Sequence, residues 1–171
     1  MQEDSGVISE SGAPSAARLL PALIGALVGA LLGSAIWAVV GIVTNSELGL
    51  VAIVVGFLAG GGALVGSGMK RGISFQVVGV AMAVIGILVG KYLLYYHFAT
   101  QALIAQVGQD VFNQSGITLL SGEVIQAFFT DLGSLIEGID LLFFGLAILI
   151  AFGVPAPRRA KKTAPATTTS S

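Results

Sequence analysis

Long stretches of this chain carry no charged side chain, so the few ionisable residues that interrupt them are where chemistry would be found. Lys91 stands inside an apolar run that begins at Ile73, and Asp140 near the start of another that ends at Val154. A charge in such surroundings is costly to desolvate and is retained where it meets a partner or performs a function. Glu47 and Glu137 border apolar runs, and Thr44 places a hydroxyl three residues before Glu47. Two chemistries fit these residue types. A Lys91–Glu47 or Lys91–Asp140 pair would offset the desolvation of both charges and pin helix ends together. Alternatively, Glu47, Asp140 and Glu137 would supply carboxylate ligands and Thr44 a hydroxyl ligand to an ion or proton site, with Lys91 as the competing charge.

Other chemistries lack parts. There is no cysteine, which removes disulfides, thiolate metal sites and cysteine nucleophiles. The single histidine, His97, cannot make a histidine metal site or a triad alone, and it is expected to join the aromatic rim of Tyr92, Tyr95 and Tyr96. No metal, no cofactor and no enzymatic nucleophile–base set are expected. No basic patch suited to nucleic acid is present. Gln76 is expected to hydrogen-bond across helices.

The elements that must position these residues are membrane helices. Hydrophobic residues make up 55% of the 171 and charged residues 10%, with mean hydropathy +0.94. An ordinary soluble domain carries roughly 25% charged residues. The expected fold is an all-α polytopic membrane bundle of four transmembrane helices, over residues 19–43, 48–68, 73–96 and 135–154. The first run would reach about 37 Å as a helix, longer than the ~30 Å hydrocarbon core. Thr44 with Glu47, and Ser134 with Glu137, have capping-box spacing for the starts of the second and fourth helices. An acidic tail precedes the first run, which sets it apart from a cleaved secretory signal.

Between the third and fourth spans, residues 98–133 carry two amphipathic patterns. Leu103, Ile104, Val107 and Val111 share one face, and Val124, Ile125, Phe128, Phe129 and Leu132 another, so two short helices are expected outside the bundle as cap, gate or binding surface. Residues 1–18 and 155–171 have tail composition, too polar and too small-residue-rich to build a core.

Small residues recur at helical spacing: Gly25, Gly29, Gly33 and Gly41 in the first run, Gly56 and Gly60 in the second, Gly79, Gly86 and Gly90 in the third. Such a glycine zipper lets backbones approach closely, within one chain or between copies. Arg18, Lys70, Arg71, Arg158, Arg159, Lys161 and Lys162 fall on one side of a four-span arrangement. By the positive-inside rule that side, with both termini, is cytoplasmic.

Trp37 followed by Thr44-x-x-Glu47-x-Gly49, then Gly86-x-x-x-Gly90-Lys91-Tyr92 and Ile139-Asp140-Leu141-Leu142-Phe143-Phe144, resembles a family of small, uncharacterised four-span bacterial membrane proteins. The resemblance covers about residues 19–154 and implies a bacterial cytoplasmic membrane address without implying an activity. The expected role is non-enzymatic: a scaffold or partner-binding subunit in contact with lipid, as a homo-oligomer or with another membrane protein. The alternative is a small channel or transporter with its ion site at the outer end of the bundle.

Overall fold

The computed structural model describes residues 16–46, 48–136 and 138–156. Glu47, Glu137, residues 1–15 and the cluster Arg158, Arg159, Lys161 and Lys162 lie outside them, as do the expectations placed on them. Every element among the described residues is a helix: α1 (Ala16–Thr44), α2 (Val51–Gly66), α3 (Ile73–Val107), α4 (Gln109–Gln114), α5 (Gly122–Leu135) and α6 (Gly138–Gly153). Two helices, Arg18–Thr44 and Ile73–Val107, are long and apolar enough to cross a membrane, while α2 is apolar but shorter. Helices α5 and α6 meet that test only together, as a pair bent by 101°. The chain is therefore a membrane protein of helices, with the first helix starting at Ala16 rather than at residue 19.

Helix α2 lies at the centre, packed against α1, α3 and α6. Its two glycine rows make this possible. A Cβ at Gly29 would lie 2.1 Å from the Leu58 carbonyl oxygen, and one at Gly25 2.3 Å from that of Gly62. Reciprocally, a Cβ at Gly62 would meet the Gly25 oxygen at 2.1 Å, and one at Gly66 the Pro21 oxygen at 2.1 Å. On the other side of α2, Gly56 and Gly60 face the Ala147 and Ala151 carbonyls of α6 at 2.3 and 2.8 Å on the same measure. Backbone thus rests on backbone, where dispersion and Cα–H···O contacts supply the attraction that apolar burial cannot supply in lipid. Gly79 faces α6 and α2, Gly86 faces Val55 and Ala30, and Gly33 faces Val55. These contacts all lie within one chain. The Ser34 hydroxyl, 2.7 Å from the Gly86 carbonyl, adds a polar tie between α1 and α3.

Turn chemistry differs from the capping expectation. Helix α1 ends with Asn45 in the left-handed region (φ 48°) and a bond from the Ser46 N–H to the Gly41 carbonyl. Thr44 belongs to that last turn, its hydroxyl 2.8 Å from the Val40 carbonyl, and it does not cap α2. Helix α2 instead begins through short-range turns at Leu48, Gly49 and Leu50, with no side-chain cap. It ends in a Schellman motif, in which Gly68 at φ 70° allows the Met69 N–H to reach the Leu64 carbonyl.

Two expected boundaries are overturned. Helix α3 runs unbroken to Val107, so Leu103, Ile104 and Val107 belong to its extension and only the six-residue α4 stands apart. The Thr100 hydroxyl bonds back to the Tyr96 carbonyl across the expected boundary. The fourth apolar helix does not start near Leu135. Leu135 ends α5, Ser134 bonds back to the Asp131 carbonyl, and Ile136 adopts an extended conformation before α6 starts at Gly138.

The far end of α6 is fastened to the start of α3. Arg71 Nη1 donates to the carbonyls of Val154 (2.8 Å) and Ala156 (2.9 Å), and Gln76 Nε2 to that of Phe152 (3.0 Å). The Gly72 N–H takes the Pro155 carbonyl. Carbonyls at and just beyond the end of α6 are thereby satisfied by the turn before α3 and by its first residues. Gln76 bonds across helices as its type suggested. Arg71, read from sequence only as a topology charge, also serves as a cap.

Candidate functional site

The break between α5 and α6 creates a polar problem in apolar surroundings. Helix α5 ends with unpaired carbonyls and partial negative charge, and α6 begins with unpaired N–H groups and partial positive charge. Lys91, the nineteenth residue of α3, meets both helices at this point. Its ammonium donates to the Leu135 carbonyl at 2.8 Å and to Asp140 Oδ2 at 3.1 Å. Asp140 lies in the first turn of α6, where a carboxylate suits the helix field. The ammonium also lies 5.7 Å from the centre of the Phe144 ring, within cation–π range.

The pair is buried. The Lys91 side chain is 2% exposed and that of Asp140 9%. The long stem of Lys91 does not snorkel to water but is turned into the protein. Asp140 is fitted closely, since a Cβ at Gly49 would lie 2.8 Å from its Oδ1 and 2.9 Å from the Phe143 ring. Trp37 closes the inner side: it is fully buried, lies 6.3 Å from the Phe144 ring centre, and packs on Gly90, where a Cβ would come within 3.3 Å of the indole. Its indole N–H has no acceptor among the described residues. Val51, Ala52, Val55, Ile87, Leu94 and Ala147 complete this core layer.

Of the candidate ligands, Lys91 and Asp140 are brought together. Thr44 is exposed and its hydroxyl is directed to the Val40 and Ser46 carbonyls, with no bond to either charged residue. Glu47 and Glu137 lie outside the described residues. Gly49, Trp37 and the Leu135 carbonyl join the site without having been read as site residues. For the carbonyl, the available signal is the pair of glycines, Gly133 and Gly138, that brackets the break. Among the described residues, no group of three His, Cys, Asp or Glu side chains is placed to hold a metal.

A cavity of about 180 Å³ adjoins the pair, lined by Lys91, Leu94, Tyr95, Phe98, Ala99 and Leu135. Beyond it, Phe128 of α5 is inserted between Tyr92 and Tyr95, edge-on to both at 5.2 and 5.5 Å. The Tyr92 hydroxyl donates to the Leu119 carbonyl and the Tyr95 hydroxyl to Asp131 Oδ2 at 3.0 Å. The aromatic cluster therefore holds α5 onto α3, and His97 stacks edge-on against Phe98 rather than on this clasp.

Residues from four points of the chain thus build the layer around the Lys91–Asp140 pair: Trp37, Gly49, Gly90 with Lys91, and Asp140 with Phe143 and Phe144. No family model matches the chain, and comparison with curated proteins and with solved structures likewise gives no match.

Proposed function

We propose that the chain is a non-enzymatic scaffold or partner-binding subunit of a bacterial cytoplasmic membrane, spanning it four times with both termini inside. The observation that carries this is the use to which the distinctive residues are put: Lys91 and Asp140 bond to each other and to a helix end, and the glycine rows pack helix on helix. A glycine-zippered bundle of this kind offers a rigid body to a partner. Helices α2 and α6, at about 24 Å each, would cross with help from flanking apolar residues or local bilayer thinning. The resemblance to small four-span bacterial membrane proteins supports the same topology and address.

A second function has one observation in its favour. The cavity of about 180 Å³ beside Lys91 gives space next to a buried charge pair, as a small channel or transporter would require. Reconstitution in liposomes separates the two. A scaffold shows no ion or proton flux above empty vesicles, and Asp140→Asn changes its stability alone. Flux that Lys91→Ala or Asp140→Asn abolishes would replace the scaffold with the transporter.

A further inference from the structure

Helix α5 has a wider apolar face than the bundle covers. Phe128 packs between Tyr92 and Tyr95 of α3 and is 2% exposed, and Val124 and Leu135 are half-buried. Phe129 and Ile125, on the adjoining side of the same face, are 60% and 36% exposed. Gln126 and Glu123 occupy the opposite side. Between Ile125, Phe128 and Phe129 of α5 and Leu88, Val89 and Tyr92 of α3 runs an apolar groove of about 230 Å³.

Three observations identify what lies against this face. First, α5 is bent by 101° from α6, so if α6 crosses a bilayer, α5 lies nearly in its plane. Second, the α3 side of the groove is 15 to 19 residues beyond Ile73, about 22–28 Å along the helix and still within a ~30 Å hydrocarbon core. Helix α6, next in the chain, also exposes apolar side chains, with Ile139, Leu141 and Leu142 61–65% exposed. Third, residues 98–136 contain no Lys or Arg but do contain Asp110, Glu123 and Asp131. Interfacial helices that select anionic lipid carry basic residues on the polar face.

We infer that α5 is an interfacial helix that lies in one leaflet, its Ile125–Phe129 edge among acyl chains, and that it takes zwitterionic rather than anionic phospholipid. This rests on the membrane reading above and adds which leaflet component the outer segment contacts. The Tyr92–Phe128–Tyr95 clasp and the Lys91–Leu135 bond set the depth at which the helix is held.

Because the chain has no cysteine, single cysteines can test it. Phe129→Cys and Gln126→Cys, both at exposed positions of α5, and Leu31→Cys on α1 would each carry an environment-sensitive fluorophore in phosphatidylcholine vesicles, with and without phosphatidylglycerol. At position 129, a shallow lipid-borne quencher should reduce emission about twofold more than at 126, with aqueous iodide giving the reverse, as a helix sunk ~5–10 Å requires. Phosphatidylglycerol should not deepen it. Iodide access at 129 equal to that at 126, with Leu31→Cys shielded, would overturn the inference and leave the membrane reading intact. Iodide access at 31 would overturn both. Shielding of 129 from lipid and aqueous quenchers alike would assign the face to a protein partner, and deeper insertion with phosphatidylglycerol would overturn the lipid class.

Discussion

Replacing Gly29 by alanine separates close backbone packing from glycine's other effects. The added methyl would lie 2.1 Å from the Leu58 carbonyl oxygen and 2.6 Å from its carbon, both backbone atoms of α2 that no rotamer change can move. Restoring an ordinary contact requires α1 and α2 to part locally by about 1 Å, an overpacking strain of ~1–3 kcal/mol. Gly61, in the same bundle, has nothing within 4 Å of the position its Cβ would take. There alanine keeps only its helix-propensity advantage of up to ~1 kcal/mol. The two substitutions are chemically identical and share the propensity gain, so they are expected to differ by the strain alone, ~1–3 kcal/mol, with Gly29→Ala the less stable and Gly61→Ala neutral or stabilising. Unfolding by sodium dodecyl sulfate in mild-detergent micelles measures this, read by circular dichroism and by the emission of Trp37, the chain's only tryptophan. Equal stability of the two variants would refute the reasoning, because the contact at Gly29 would then carry no energy.

Three further outcomes follow from the site. Lys91→Met should destabilise by about 3–5 kcal/mol by breaking the buried Lys91–Asp140 pair, and Lys91→Met with Asp140→Leu should cost less than the two single changes added together, a coupling that a double-mutant cycle in the same assay measures. Arg71→Ala should cost ~1.5–3 kcal/mol for its bonds to the Val154 and Ala156 carbonyls, with loss of hydrogen-exchange protection confined first to the end of α6. Trp37→Phe removes a buried N–H that has no acceptor among the described residues, so its cost, followed by circular dichroism, should stay below ~2 kcal/mol, against ~3–5 kcal/mol for Trp37→Ala.

The helical class and the shared face of the small residues are legible because both are local. Apolar length fixes the first, and three- and four-residue spacing puts Gly25, Gly29 and Gly33 on one face whatever that face meets. The identity of the partner helix is not local, and nothing in the spacing says that Gly25 faces Gly62 while Gly56 faces Ala147. Lys91 and Asp140 are singled out by the cost of their charge, yet Glu47 is as good a partner for Lys91 on sequence grounds. The change of polarity at Phe98 resembles a helix end, but no glycine or proline stands between Lys91 and Val107, and helix bonding continues through it. Conversely, Ser134 and Glu137 imitate a cap at a place where the chain breaks, and Lys91, 44 residues away in sequence from Leu135, supplies the hydrogen bond that stabilises the break.

The side of the membrane on which each turn lies is the most direct test of the whole arrangement. Single cysteines at Ser46, Met69, Ser115 and Ala156, in intact cells and in inverted vesicles, can be treated with a membrane-impermeant thiol reagent. Four crossings with both termini inside require Ser46→Cys and Ser115→Cys to react from the outside and Met69→Cys and Ala156→Cys only from the cytoplasmic face. Reaction of Ser46→Cys and Met69→Cys from the same side would mean that α2 does not cross, and would contradict the arrangement at its centre.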